Sequence, residues 1–256
     1  MNLDDLKREA AAQAVAMVDP GMRLGLGTGS TAKHFVDLLA ARMKRETLGI
    51  IGVPTSEATR IQAASLGIPL TTLDETPELD LTIDGADEID AKLRLIKGGG
   101  GSHLQEKIVA TASDRMIVIA DVTKKVETLG AFPLPLEVIP FGWQTTKTLI
   151  EETLIGMDVL GQTTTLRMNG DAPYISDEGN HILDLHLNRI GNPRQLSLML
   201  NQIPGVVENG LFIDICDIVI VGHGDGLVEV HDINQDQVEK TKFDFLDDGN
   251  LFSEDM

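Results

Sequence analysis

Cysteine is almost missing from this chain. Cys216 is the only one among 256 residues, so no disulfide can form within the chain, and a reducing compartment is the simpler setting. No apolar run approaches the length of a membrane span. The opening MNLDDLKREAAA is acidic and amphipathic, unlike a signal or transit peptide. These absences point to a cytoplasmic protein with no membrane partner. Cations are also scarce: 21 Lys and Arg stand against 40 Asp and Glu, giving a formal charge of −19. A nucleic-acid partner is therefore not expected, because phosphate backbones demand a basic footprint. Any small anionic ligand would have to be held by local backbone N–H groups and a few lysines against a repulsive field. What is present is a hydrophobic content of 42%, enough for a real core in one large domain, or a large and a small one.

Hydrophobic spacing organises the chain. Leu3, Leu6, Ala10, Ala14 and Met17 recur at helical intervals up to Asp19-Pro20-Gly21. MRLGLG then reads as a strand, followed by a glycine-rich turn and the helix TGSTAKHFVDLLAARM. LGIIGV is the next strand; Ser56 caps the helix EATRIQAASL, which Gly67 ends. IPLTTL, LDLTI and MIVIA read as further strands. Strands alternating with helices predict an α/β fold, a doubly wound, mostly parallel sheet. At AFPLPLEVIP the texture changes, and PLEVI, TTKTLIEETL, TTTLRM, HILDLHL, PRQLSLMLNQI and GVVENGLF follow in the order β-α-β-β-α-β. That order predicts a small ferredoxin-like α+β domain. The expected division is a catalytic domain over 1–130 and 210–231, an insertion over 131–209, and an acidic solvated tail over 232–256. Cys216 falls in the apolar stretch VENGLFIDICDIVIV, a core setting rather than a reactive one.

Two glycine loops carry the chemistry. The first, Gly25-Leu26-Gly27-Thr28-Gly29-Ser30-Thr31-Ala32, joins a strand to a helix and offers N–H groups to an anion. Alternatively it is a tight turn with Ser30 or Thr31 as an N-cap. It lacks the lysine of a P-loop. Gly27-x-Gly29-x-x-Ala32 matches a dinucleotide fingerprint, but the next strand ends in Pro54-Thr55-Ser56, without the acid that would hold a ribose, so a nicotinamide-dependent oxidoreductase is disfavoured.

The second region is DGADEIDAKLRLIKGGGGSHLQEK, residues 84–107. LDLTI delivers Asp84 at a strand end, where open α/β sheets bind ligands. Asp87 follows, while Glu88 and Asp90 read as surface acids. A magnesium site is the alternative use of such a cluster, although the EF-hand spacing fails. Lys97 follows LRLI at another expected strand end, and Gly98 to Gly101 give up backbone order at about 0.5–1 kcal/mol each against alanine. Such a run suggests amides lining a site. Ser102 and Gln105 can form a capping box for the next helix, and Glu106 lies in its first turn, away from a Leu104/Ile108 face. By itself Glu106 reads first as an exposed acid complementing the helix dipole. Taken together, a lysine and glycine amides can stabilise an oxyanion, a carboxylate can take a proton from carbon, and another acid can move protons among oxygens. With a phosphate cradle added, this is proton transfer alpha to a carbonyl in a sugar phosphate.

These residues resemble the ribose-5-phosphate isomerase type A family from about Leu3 to Val230. GLGTGSTA is similar to its phosphate loop, DGADEID to its acidic motif and KGGGGSHLQEK to its catalytic loop, with IADVTKKVETLG, FPLPLEVIP, GNHILD and IPGVVENGLF in family order. The resemblance implies an aldose-ketose isomerase that interconverts ribose 5-phosphate and ribulose 5-phosphate in the pentose phosphate pathway, with no cofactor or metal, as a homodimer or homotetramer. It implies that Thr28, Gly29, Ser30 and Thr31 bind substrate and that Asp84, Gly85, Ala86 and Asp87 surround the sugar, Asp84 serving as acid/base in ring opening. Lys97, Gly98, Gly99 and Gly100 would hold the reacting oxygens, Glu106 would be the base between C1 and C2, and Lys124 would bind substrate, with Lys7 a further phosphate contact. The sequence departs from the family at His103-Leu104-Gln105, where an arginine usually precedes the glutamate. A non-catalytic sugar-phosphate sensor is the competing reading; it would keep the phosphate loop and lack the Lys97/Glu106 pair.

Overall fold

The computed structural model describes residues 2–224, 226–235 and 238–242, which divide into two compact units. The first comprises residues up to Gly85, Val109–Thr123 and the chain from Cys216 onward; the second comprises Ala86–Ile108 and Lys124–Ile215.

Among the described residues, the first unit is built on a seven-stranded sheet. Its order is Glu239–Lys242, Leu227–Asp232, Ile218–Gly224, Met116–Asp121, Leu81–Asp84, Arg23–Leu26, Ile51–Pro54. The last five are mutually parallel, with Ile220 beside Ile119, Ile83 beside Ile117 and Leu24 beside both Leu81 and Gly52. Met116–Asp121 is buried throughout, as expected of a strand covered on both faces. The helix Leu3–Ala16 starts where the Asn2 side chain accepts from the Asp4 N–H, and it buries Leu6, Ala10 and Ala14 at helical spacing. Small residues let it approach closely: a Cβ on Gly222 would stand 2.0 Å from the Leu6 carbonyl oxygen. Phe35, Leu39, Leu24, Ile83, Ile117 and Ile220 centre the core, each worth about 1.5–3 kcal/mol in apolar burial. Ser56 caps the helix Glu57–Ser65 by accepting from the Thr59 N–H, and Gly67 closes it with φ 78°.

Two expectations change here. IPLTTL is not a strand; Leu70 makes only an isolated parallel bridge to Gly52. The expected solvated tail over 232–256 contains the strand Glu239–Lys242, which pairs antiparallel with Leu227–Asp232 because that strand otherwise offers an open edge. The rest of the tail, 243–256, lies outside the described residues.

The second unit carries, among the described residues, a four-stranded antiparallel sheet in the order Val206–Asn209, Leu134–Val138, His181–His186, Thr163–Leu166. With the helices Trp143–Ile155 and Pro193–Leu200 this is the β-α-β-β-α-β arrangement, packed around Leu136, Leu183, Leu185, Ile150, Leu154 and Leu196. The unit is wider than the expected 131–209. A second sheet places Leu211–Phe212 beside Leu95–Ile96 and that strand beside Glu88–Ile89, so residues 86–108 belong with it. Glu88 fastens this join, its carboxylate accepting from the Gly130 and Phe132 N–H groups at 2.6 Å each. Glu88 and Asp90 are thus buried, not surface acids. Asp90 folds its own turn, accepting from the Lys92 and Arg94 N–H groups and from Arg94 Nε. Charged residues are buried only when so paired, a condition invisible in a one-dimensional pattern.

Candidate functional site

In the first unit, the loop after Arg23–Leu26 runs into the helix Ser30–Met43 through Gly29, whose φ of 108° is left-handed and whose N-cap position makes no side-chain cap bond. Gly29, not Ser30 or Thr31, is thus the N-cap, and with no side chain to cap them the first N–H groups of the helix are open to an anion. Ser30 is exposed beside the loop and accepts from Lys7 Nζ at 3.0 Å, so a cation and a hydroxyl flank the helix start. Thr31 is buried.

Asp84 ends the neighbouring strand Leu81–Asp84 with no solvent exposure. Its Oδ1 accepts from the Thr28 N–H at 3.0 Å and the Gly85 N–H at 2.7 Å. Gly27 makes room for it, since a Cβ there would fall 2.3 Å from Asp84 Oδ1. The glycine is thus a requirement of the carboxylate, not only of the turn. Thr28 turns its hydroxyl toward Thr55 Oγ1 at 2.7 Å, Ser56 Oγ at 2.8 Å and Thr59 Oγ1 at 3.2 Å. Thr55, Ser56 and Thr59 were not among the expected site residues. Their signal was the hydroxyl-rich run Pro54-Thr55-Ser56 closing the adjacent parallel strand, read only as a missing acid and a helix cap.

In the second unit, Lys97 and Glu106 meet. Lys97 Nζ stands 3.3 Å from Glu106 Oε2, with the residues 2% and 4% exposed. Lys97 is placed by the short strand Leu95–Ile96 and by its own N–H, which donates to the Gly210 carbonyl at 2.9 Å. Its ammonium also lies 5.4 Å from the ring centroid of the buried Phe212. Glu106 lies in the first turn of the helix His103–Thr111, and it is the His103/Glu106 side that is buried; Leu104 is half-buried and Ile108 is 51% exposed. The expected apolar face of this helix is reversed, because the ion pair needs the buried side. Gln105 does not close a capping box with Ser102: its Nε2 donates to Glu178 Oε1.

The glycine run has a packing explanation. A Cβ on Gly98 (φ 102°) would fall 2.7 Å from His103 Nδ1, on Gly99 2.7 Å from Asp87 Oδ1, and on Gly101 (φ 81°) 2.5 Å from the Tyr174 ring. Three neighbours occupy the space that side chains would need. The Gly99 N–H donates to Asp87 Oδ2 at 2.8 Å and the Gly101 N–H to the Gly98 carbonyl. Among the described residues, the N–H groups of Gly98 and Gly100 donate to no protein acceptor.

His103 has no solvent exposure, and its Nε2 lies 3.2 Å from the Glu208 carbonyl. Burial drives the imidazole down to about 3, and the Glu208 carbonyl offsets this only in part. It is therefore a neutral packing group. Its proton is bound by the unfolded chain first, so its contribution to stability is full above about pH 6.5 and is lost as pH falls toward 3. The slope is at most about 1.4 kcal/mol per pH unit. Denaturant titrations at pH 7 and pH 5 should show a smaller acid loss in His103→Leu than in the natural chain. An identical loss would remove His103 from the acid response. Behind this helix Lys107 Nζ donates to Glu208 Oε1 and to the Asn209 carbonyl, and burial holds its ammonium below the usual lysine range.

The expected site residues thus form two groups. Thr28 to Thr31, Asp84 and Gly85 cluster in the first unit; Asp87, Lys97, Gly98 to Gly100 and Glu106 cluster in the second, with Ala86 half-buried just before Asp87. Lys124 ends the one-turn helix Val122–Lys124, half-buried; among the described residues no hydrogen bond or ion pair links it to either group. Among the described residues, no three His, Cys, Asp or Glu side chains are grouped to hold a metal ion, and no helix is long and apolar enough to cross a membrane.

Residues 51–226 match the profile of ribose 5-phosphate isomerase A (phosphoriboisomerase A). The ribose-5-phosphate isomerase A of Ruegeria sp. (strain TM1040) is 65% identical over 252 residues, 98% of this chain and 96% of the relative. That of Cereibacter sphaeroides (strain ATCC 17029 / ATH 2.4.9) is 63% identical over the same shares. Among solved structures, a D-ribose-5-phosphate isomerase in complex with phospho-erythronic acid superposes with a TM-score of 0.82 at 39% identity, covering 95% of this chain and all of that one. Ribose 5-phosphate isomerase A of Methanocaldococcus jannaschii gives 0.83 at 41% identity, covering 90% and 100%. Sequence likeness over nearly the whole length, joined to a buried lysine–glutamate pair beside a glycine loop, makes this chain a member of the ribose-5-phosphate isomerase A family.

Proposed function

We propose that this isomerase interconverts ribose 5-phosphate and ribulose 5-phosphate by moving one proton between C1 and C2 on the Glu106 carboxylate, through an enediolate. The observation that carries this reading is the buried Lys97–Glu106 pair, 3.3 Å apart. A carboxylate shielded from water is a competent base for a carbon acid, and a buried ammonium beside it is a strong partner for the oxygen on which charge develops. Lys97 and the N–H groups of Gly98 and Gly100 supply that stabilisation. Gly99 contributes through Asp87, whose carboxylate is fixed by its N–H. Asp84, held by the Thr28 and Gly85 N–H groups, exchanges a proton with the ring oxygen during opening, and Gly85, Ala86 and Asp87 border the sugar. The phosphate goes to Thr28, Gly29, Ser30 and Thr31 at the uncapped helix start, with Lys7 as counter-charge. Lys124 adds a second substrate-binding cation.

The reaction shifts a proton and an electron pair within one molecule, so it calls for no external oxidant, cofactor or metal. The enzyme acts in the pentose phosphate pathway of the cytoplasm as a homodimer or homotetramer. A coupled assay that follows ketopentose phosphate formed from ribose 5-phosphate should register turnover without added cofactor, at the same rate with EDTA. Loss of activity in EDTA, restored by magnesium, would replace this mechanism with a metal-assisted one.

A further inference from the structure

The glycine loop is held from behind by side chains that its own sequence does not contain. Arg167 Nη1 donates to the Gly98 carbonyl at 2.9 Å and to the Gly99 carbonyl at 3.1 Å. Tyr174 Oη donates to the Gly100 carbonyl at 2.9 Å. Arg167 is itself fixed, because its Nε and Nη2 fork onto the Asp184 carboxylate of the strand His181–His186, and its guanidinium carbon lies 5.9 Å from the Tyr174 ring centroid. In a trans peptide the C=O of one residue and the N–H of the next point in opposite directions. An arginine that draws the Gly99 carbonyl toward itself therefore turns the Gly100 N–H away, and that N–H donates to no protein acceptor among the described residues. The same pull on Gly98 presents the Gly99 N–H to Asp87 Oδ2. Four linked glycines have no side chains to hold them, so their peptide planes would otherwise sample many orientations.

We infer that Arg167, locked by Asp184 and seconded by Tyr174, is a positioning residue that aims the Gly100 N–H at the developing oxyanion of the substrate. The inference rests on the isomerase reading above. It adds a catalytic dependence on Arg167 and Tyr174, about 70 residues further along the chain, which touch no substrate in this account.

Arg167→Met keeps the long apolar stem and removes the fork. It should lower kcat by about 10–100-fold, a fraction of what deleting an oxyanion donor outright costs, while KM stays within about threefold. Affinity for phospho-erythronic acid, the ligand of a related isomerase structure, whose carboxylate carries a negative charge as the enediolate does, should fall by a factor that follows kcat and not KM. Tyr174→Phe keeps the ring and loses one bond to the loop, and should show the same pattern at about 3–10-fold. If Arg167→Met fails to fold because Asp184 is left without its partner, Arg167→Met/Asp184→Asn removes both charges and should give the same kcat loss. A variant with kcat within threefold of the natural enzyme overturns the inference, as does a loss expressed only in KM. Glu106→Gln, run alongside, separates the two readings: if it is inactive while Arg167→Met is fully active, only the aiming role is lost.

Discussion

Glu106→Gln should bind ribose 5-phosphate within about threefold of the natural affinity and lose turnover by about 10²–10⁴. The amide has nearly the shape of the carboxylate and can still accept a hydrogen bond, but it cannot take a proton from carbon. The change also leaves Lys97 as a buried ammonium without its ionic partner at 3.3 Å. Removing one member of a buried pair costs about 3–5 kcal/mol, so unfolding must be measured beside kinetics. The discriminating readout is exchange of the substrate C2 proton with deuterated solvent, followed by NMR on folded protein. Exchange at the natural rate in Glu106→Gln would take the base role from Glu106 whatever happened to stability.

Lys97→Met should depress kcat by about 10²–10³ with a much smaller change in KM. Electrostatic stabilisation inside a dry site favours the charged transition state over the neutral carbonyl substrate. Methionine keeps an unbranched apolar side chain in a site where the ammonium lies 5.4 Å from the Phe212 ring centroid, so the variant tests charge more than volume. The opposite split, a raised KM at unchanged kcat, would mean that Lys97 binds ground state and transition state equally. The oxyanion role would then fall to the glycine amides alone.

Much of this was legible in one dimension. The strand–glycine–helix unit at Arg23–Met43, the capping of Glu57–Ser65 by Ser56 and the β-α-β-β-α-β order of the second unit all follow from local spacing and local hydrogen bonding. Lys97 and Glu106 could be named as partners because a glycine run had no stabilising purpose of its own. The errors were equally local. Glu88 and Asp90 read as surface acids because the Gly130 and Phe132 N–H groups that hold Glu88 lie more than 40 residues away. The Ile108 side of the helix His103–Thr111 looked apolar and inward, yet the His103/Glu106 side is the buried one. Glu239–Lys242 looked like a solvated tail because a strand added at an edge takes its stability from a neighbour's backbone, which composition does not encode.

By itself, then, the sequence determined the kinds of groups available for catalysis and the family to which they belong, since both rest on motifs contiguous along the chain. Tertiary structure alone decided why Gly98, Gly99 and Gly101 are required, which face of the helix bears Glu106, and that Arg167 and Tyr174 grip the loop from about 70 residues away. The physical reason is one of range. Hydrogen bonds within a turn or a helix leave a periodic trace, whereas the space denied to a Cβ, or a carbonyl held by a distant guanidinium, exists only after the chain has folded back on itself.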